Sequence, residues 1–366
     1  MRIFKASMKL RSFMLMFILL ILISACTTRF VTETPGPVRN VVLIIGDGMG
    51  LSHIYSAMSV YDGELNMAKA KHIGFSKTHS FDNYNTDSAA GGTAISSGVK
   101  TRNGMIGMSP DTVNVKTMIE WVHEKGLAGG VVSTSAVTHA TPASFLSHNI
   151  SRENYEELAE DFLKTQPEVF IGGGLSNFVN RQDSVNLIPE LQESGYQIVY
   201  TIEDLLKADA NKLAGLLADE HLPKMSEGRG DLLAYSSIKA LQTLRKNKKG
   251  FFLMIEGSQI DWAAHDHDTR YLIEETLDLD MTLGVVLDFA EQNGKTLVIV
   301  TADHETGGMT LVGGDPTKRS VAASYSTGRH TGIVVPVFAF GPGAGLFNGF
   351  YDNTEIFEKI RFLLRL

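Results

Sequence analysis

The chain has 366 residues, a formal net charge of −8, 43% hydrophobic and 20% charged residues. That is the balance of a folded globular chain with ample sequence to bury a core, and it excludes a low-complexity or disordered protein. The acidic balance also argues against nucleic acid as a partner.

The elements begin with a segment outside the fold. Met1–Ser12 carries Arg2, Lys5, Lys9 and Arg11 and no acid, Phe13–Ile23 is apolar, and Ile23-Ser24-Ala25-Cys26 follows. A basic start, an apolar centre and small residues before a cut site describe a secretory signal. The apolar run is short of the ~20 residues of a comfortable span, although an uncleaved anchor helix is the alternative. Cys26 sits as in a bacterial lipobox, so the expected anatomy is a signal peptide over 1–25, a tether over 26–39 that begins at a lipidated Cys26, and a folded domain over 40–366. The folded part is then exported and membrane-tethered, periplasmic or at the cell surface. Removing residues 1–25 leaves 29 basic against 41 acidic side chains, a balance of −12. Cys26 is the only cysteine, so no disulfide within the chain is available and the core and any bound metal must supply stability.

Six apolar, β-branched runs follow, and most end in small or acidic residues. Val41–Ile45 ends in Gly46-Asp47-Gly48, and Gly129–Ser133 leads to His139-Ala140-Thr141-Pro142. Val169–Ile171 runs into glycines, Phe251–Ile255 into Glu256-Gly257, Thr296–Val300 into Ala302-Asp303-His304, and Val334–Phe340 into Gly341-Pro342-Gly343. Continuous apolar strands are buried on both faces. Helical patterns over Val115–Lys125, Asn154–Lys164 and Leu272–Asn293 alternate with them. The expected fold is α/β, a three-layer α/β/α sandwich around a large, mostly parallel sheet. Residues 176–230 and 309–329 are more polar and read as surface excursions. The polar residues gather after the strands, where open α/β sheets bind ligands.

Each candidate has a bland alternative. Asp47, between glycines, suits either a ligand or a turn that caps the next helix. Asp261 and His265, at i and i+4, share a helix face and could share a zinc ion, or form a solvated pair; His267 points elsewhere. Asp303-His304 and His330 are weak ligand candidates alone. Glu256 ends a buried strand and needs a cation or hydrogen bonds. Ser88, in Thr86-Asp87-Ser88-Ala89-Ala90-Gly91-Gly92, opens a helix whose N-terminus suits a phosphoryl group, though by itself the segment reads as an Asp87 or Ser88 cap. Arg152 could grip two phosphate oxygens or lie idle on the surface.

Taken together and in order, these segments resemble the alkaline phosphatase family over nearly all of Val41–Gly343. The resemblance implies hydrolysis of phosphate monoesters through a phosphoserine on Ser88. It implies one zinc held by Asp261, His265 and His330, and a second by Asp47, Ser88, Asp303 and His304. A third site, for magnesium, would be bridged by Asp47 and completed by Thr141 and Glu256. Arg152 would grip phosphate and Asp87 would orient Arg152. Members differ at the positions of His139 and Trp262, which border the third metal and the phosphate, so the third ion is magnesium or else zinc or cobalt. Homodimerisation follows by analogy only. The alternative within the superfamily is a phosphodiesterase or a sulfatase.

Overall fold

Strand β1 (Asn40–Gly46) is buried on both sides: Val42 and Ile44 enter one apolar cluster, Val41, Leu43 and Ile45 the other. Alternation of side chains across a strand sends successive residues to opposite faces, so two cores need a layer of helices on each side of the sheet. The computed structural model describes residues 37–366. The expected signal sequence, Cys26 and the tether as far as residue 36 lie outside the described residues.

The main sheet uses β2 (His72–Lys77), β3 (Ala128–Ala136), β4 (Val169–Gly173), β5 (Tyr196–Val199), β6 (Lys212–Leu216), β7 (Phe251–Gly257), β8 (Thr296–Thr301), β13 (Val335–Phe340) and β14 (Gly349–Asp352) besides β1. Its order is β14-β2-β13-β8-β1-β7-β3-β4-β6-β5. Only β13 runs against its neighbours, β2 and β8; the other pairings are parallel. The remaining strands are short or peripheral: β9 (Glu305–Thr306) pairs with β12 (His330–Thr331), and β10 (Met309–Asp315) pairs with β11 (Ser320–Tyr325) as a hairpin. The α/β architecture and the mostly parallel sheet are as expected, and each of the six expected strands is present.

Two expectations shift. Residues 176–230 are not a surface excursion: β5 and β6 lie within them and extend the sheet, with Leu213 and Ala214 fully buried. These strands are only four and five residues long, too short for a clear period. The helix expected from Val115 begins at Met118, because Thr117 takes the cap position and its N–H donates to the Glu120 carboxylate at 2.7 Å. That reciprocal capping fixes the first turn. The other two expected helices are observed as Tyr155–Thr165 and Thr269–Asn293. Among the described residues no helix is long and apolar enough to cross a membrane.

With nearly all strands aligned, their C-terminal ends form one edge. Asp47, Glu256 and Asp303 stand at the ends of β1, β7 and β8, which are adjacent in the sheet.

Candidate metal centre and nucleophile

Three clusters of ligating side chains meet at that edge. In the first, the helix Gln259–His265 places Asp261 and His265 one turn apart, with Asp261 Oδ2 at 3.3 Å from His265 Nε2. His330, on β12, brings its Nε2 within 3.5 Å of Asp261 Oδ1 and 3.1 Å of His265 Nε2. Both rings are fixed from behind, since His265 Nδ1 lies 2.8 Å from Gly328 O and His330 Nδ1 lies 2.7 Å from Thr86 O. A carbonyl can only accept, so each Nδ1 carries a proton, and once the ring is neutral each Nε2 presents a lone pair; without a cation, His265 Nε2 is instead protonated and donates to Asp261. Two lone pairs aimed at one point fit a cation between them.

The second cluster is buried. His304 Nε2 lies 3.2 Å from Asp303 Oδ2, 3.4 Å from Asp47 Oδ1 and 3.3 Å from Ser88 Oγ. The His304 ring stacks on His330 with centroids 3.6 Å apart, which makes the first two clusters neighbours. In the third, a ring nitrogen of His139 and carboxylate oxygens of Asp47 and Glu256 lie within 4.8 Å of one another. Thr141 joins it through its hydroxyl, 3.4 Å from Asp47 Oδ2.

The donor set fits divalent cations. Asp47 Oδ1, Asp303 Oδ2, Glu256 Oε1 and His139 Nδ1 are buried with no hydrogen-bond partner. Buried polar atoms are otherwise almost always satisfied. Burial, then the neighbouring acids Asp303 and Asp261, pushes the Asp47 carboxyl well up. Burial likewise raises Asp303 to about 7 and raises Glu256. Asp261 is the exception: burial works to raise it, but the His265 hydrogen bond and nearby histidines prevail and hold it low, while His265 rises to about 9. Four carboxylates facing one guanidinium cannot all ionise in a dry site; divalent ions would let them.

The nucleophile candidate stands where the second cluster meets a helix. Ser88 is the first residue of the helix Ser88–Ser97, and Asp87 caps it by accepting from Ala90 N at 3.0 Å. The cap is therefore Asp87, and the Ser88 hydroxyl is left to face His304. Asp87 Oδ2 also holds Arg152 Nη1 at 3.2 Å, and Arg152 Nη2 reaches His139 Nε2 at 3.3 Å. Arg152 thus extends across the site from the Asp87 side.

Gly48 is required by geometry. Its φ is +68°, and a Cβ there would come within 2.7 Å of Thr306 Oγ1 and 2.8 Å of Asp261 Oδ1. The Asp47 turn can therefore press against Asp261 only with glycine following it.

An alkaline phosphatase family model matches residues 38–324. The chain belongs to the alkaline phosphatase family. Alkaline phosphatase 3 of Bacillus subtilis (strain 168) is 34% identical, over 88% of this chain and 88% of its own. The alkaline phosphatase from the Antarctic bacterium TAB5 is 41% identical, with 90% of this chain and 99% of that chain covered and a TM-score of 0.87. A histidine-to-aspartate mutant of the TAB5 enzyme, with Mg bound in its M3 site, superposes with a TM-score of 0.86 at the same identity and coverage. The activity is that of the family, metal-dependent hydrolysis of phosphate monoesters, and these relatives do not favour the phosphodiesterase or sulfatase alternative.

The sequence reading did not find His221, which packs edge-on against Trp262 at 4.7 Å between ring centroids and against His139 at 5.8 Å. It accepts a hydrogen bond from Ala136 N at 3.0 Å. It is a lone histidine in the stretch taken for a surface excursion, with no motif around it. Nor does the sequence single out Thr306, whose hydroxyl donates to Asp261 and lies 3.3 Å from His304 Nδ1, so that it ties the first cluster to the second.

Proposed function

We propose that Ser88 is the nucleophile of phosphate monoester hydrolysis and passes through a phosphoserine. Asp261, His265 and His330 would hold one zinc ion, and Asp47, Ser88, Asp303 and His304 a second. Asp47, Thr141 and Glu256 would hold a third ion, magnesium, or zinc or cobalt where His139 contributes its ring nitrogen. When bound, such ions supply Lewis acidity that favours the serine alkoxide and offsets charge on the departing oxygen. The observation that carries the reading is the Ser88 hydroxyl, at a helix N-terminus, 3.3 Å from His304 Nε2, which also faces Asp47 Oδ1 and Asp303 Oδ2, two buried oxygens without a hydrogen-bond partner.

The side chains divide the work. The start of the helix Ser88–Ser97 faces the phosphoryl group with N–H groups and the positive end of its dipole. Arg152, held by Asp87, grips two phosphoryl oxygens and keeps phosphorus in line with Ser88 Oγ. Ser88 gives up its proton as Oγ bonds to phosphorus, the ester P–O bond breaks with its electron pair on the departing oxygen, and that oxygen takes up a proton and leaves as the alcohol. In the second step water loses a proton as it attacks phosphorus, the Ser88 ester bond breaks, Ser88 Oγ regains a proton, and phosphate departs. Trp262 and His221 pack around His139 and fix its ring.

We also propose that residues 1–25 are a signal peptide and that 26–39 are a tether that begins at a lipidated Cys26, which holds a catalytic domain of residues 40–366 outside the cytoplasm. Homodimerisation is proposed on family analogy.

Acid quench during turnover of a monoester labelled in its phosphoryl group tests the nucleophile. Label should appear on the peptide that contains Ser88, and Ser88→Ala should carry none and lose turnover. Label on another residue, or undiminished turnover by Ser88→Ala, would remove Ser88 from the role.

A further inference from the structure

The chain is acidic overall, with a net charge of −8, yet the stretch of the sheet's edge where the adjacent strands β8, β1 and β7 begin is basic. Arg39 precedes β1, Lys248 and Lys249 precede β7, and Lys295 precedes β8, all exposed. Main-chain bonds draw the starts of these strands together: the N–H groups of Arg39 and Asn40 donate to Lys295 O at 3.0 and 3.2 Å, and Ala128 N donates to Gly250 O at 3.1 Å. Adjacent strands lie about 4.8 Å apart, so the cations line up at close spacing. Two adjoining concavities of about 540 and 410 Å³ open on this edge and share Arg245 and Lys248. Among the described residues the only carboxylate that lines either is Asp209, and Lys246 Nζ engages it at 2.6 Å. Asn247, Gln292 and Asn293 add neutral hydrogen-bonding groups between the cations.

A second observation concerns chain connectivity. Arg39 is also where the chain enters its first strand, 13 residues after Cys26. Fully extended, that stretch spans at most about 45 Å. Of the two edges of the sheet, the basic one is therefore the edge joined directly to the N-terminal segment.

We propose that this basic edge docks on anionic phospholipid headgroups of the membrane that holds the N-terminal segment, with headgroup phosphates received by Arg39, Arg245, Lys248 and Lys295. The proposal rests on the reading of residues 1–39 as a membrane attachment. A lipid on Cys26 holds the chain at the membrane but leaves its orientation free, and a basic edge adds an electrostatic contact that selects which face turns to the anionic surface. Each basic side chain near an anionic surface contributes roughly fivefold to partitioning. β7 has seven residues, so the docked edge and the metal clusters lie on opposite sides of a sheet roughly 20 Å deep. The catalytic edge then faces away from the bilayer, towards soluble esters.

Lysine footprinting of the full chain on vesicles tests this. The protein is reconstituted into neutral phosphatidylcholine vesicles and into vesicles that also contain phosphatidylglycerol, and acetylation rates are compared. On the anionic vesicles Lys248 and Lys295 should be acetylated about tenfold more slowly, with recovery at high salt. Lys318, exposed at the tip of the β10–β11 hairpin, should be unaffected. A Lys248→Glu/Arg245→Glu variant should lose protection at Lys295 and keep full turnover of a soluble monoester. Equal protection on neutral vesicles, protection that survives in the variant, or the same protection from heparin without vesicles would each overturn the proposal. Fatty-acid labelling of the full chain with and without Cys26→Ser tests the anchor separately. No label on Cys26 would sink lipidation, while the footprint would still decide the docking face.

Discussion

Replacing Thr306 with valine removes one hydroxyl and leaves the main chain intact, including the Thr306 N–H bond to Gly48 O at 3.0 Å. The hydroxyl has one proton, and it goes to Asp261, which as a carboxylate can only accept. Its lone pair is then free for His304 Nδ1 at 3.3 Å, so that nitrogen bears the proton and Nε2 is left unprotonated towards Ser88, Asp47 and Asp303. Thr306→Val therefore takes a donor from a buried carboxylate and unlocks the tautomer of a second ligand. Loss of one hydrogen bond to a charged group costs about 1.5–3 kcal/mol, and loss of a partner behind a metal ligand typically lowers metal affinity about 10–100-fold. Chelator competition that follows zinc release should show a loss of that size, with turnover largely restored at saturating zinc. Unchanged zinc affinity in a folded variant would refute the argument. So would a loss of turnover that excess zinc does not relieve.

The remaining predictions concern other parts of the molecule. Gly48→Ala should cost about 1–3 kcal/mol through its left-handed backbone alone and should also lower zinc affinity, because the added Cβ meets Thr306 and Asp261; calorimetry and metal analysis check both. Chelation should abolish turnover and lower the melting temperature, since Asp47, Asp303 and Glu256 are left to repel one another; a chelator-treated protein that melts unchanged would contradict this. Arg229 is fully buried, and its guanidinium holds Glu275 and, at 2.8 Å, Asp278 on the long helix Thr269–Asn293. Arg229→Met should destabilise by about 3–5 kcal/mol in denaturant titration, the cost of leaving buried carboxylates unpaired.

The His148–Glu120 pair should give a pH signature. Burial works against the charged forms of both groups, but their mutual hydrogen bond prevails, raising His148 above its ordinary 6.5 and lowering Glu120 below its ordinary 4.5. The histidine part is present in full below pH 6.5 and is lost as pH rises through its raised value; the glutamate part is present above 4.5 and is lost as pH falls through its lowered value. The melting-temperature gap between wild type and Glu120→Gln should therefore peak near the middle of that window and shrink at alkaline pH. A gap that does not vary with pH would show that the capping bond to Thr117, not the ion pair, carries the effect.

Much of the site was legible because its residues sit in short motifs at strand ends. Asp47 between glycines, Glu256 after an apolar run and Asp303-His304 after another are all readable without a structure, and so is the i, i+4 pair Asp261–His265. Their ordered combination pointed to the family before any distance was known. The large strands were legible for a related reason: a strand buried on both faces leaves an unbroken apolar run. The short strands β5 and β6 were not, because four or five residues beside polar loops carry no period that outweighs their surroundings.

The sequence by itself therefore determined the strand runs, the candidate ligand residues and the glycine at position 48, since these depend on local chemistry and backbone conformation. Tertiary structure decided which side chains share a point. Ser88 and His304 are 216 residues apart, and His330 and Thr86 are 244 apart; no local rule reaches that far. It decided that Asp87 both caps a helix and holds Arg152, and that His221 belongs beside Trp262. It also decided that the cations of separate loops line one edge, because parallel strands bring all their beginnings to one side and all their ends to the other.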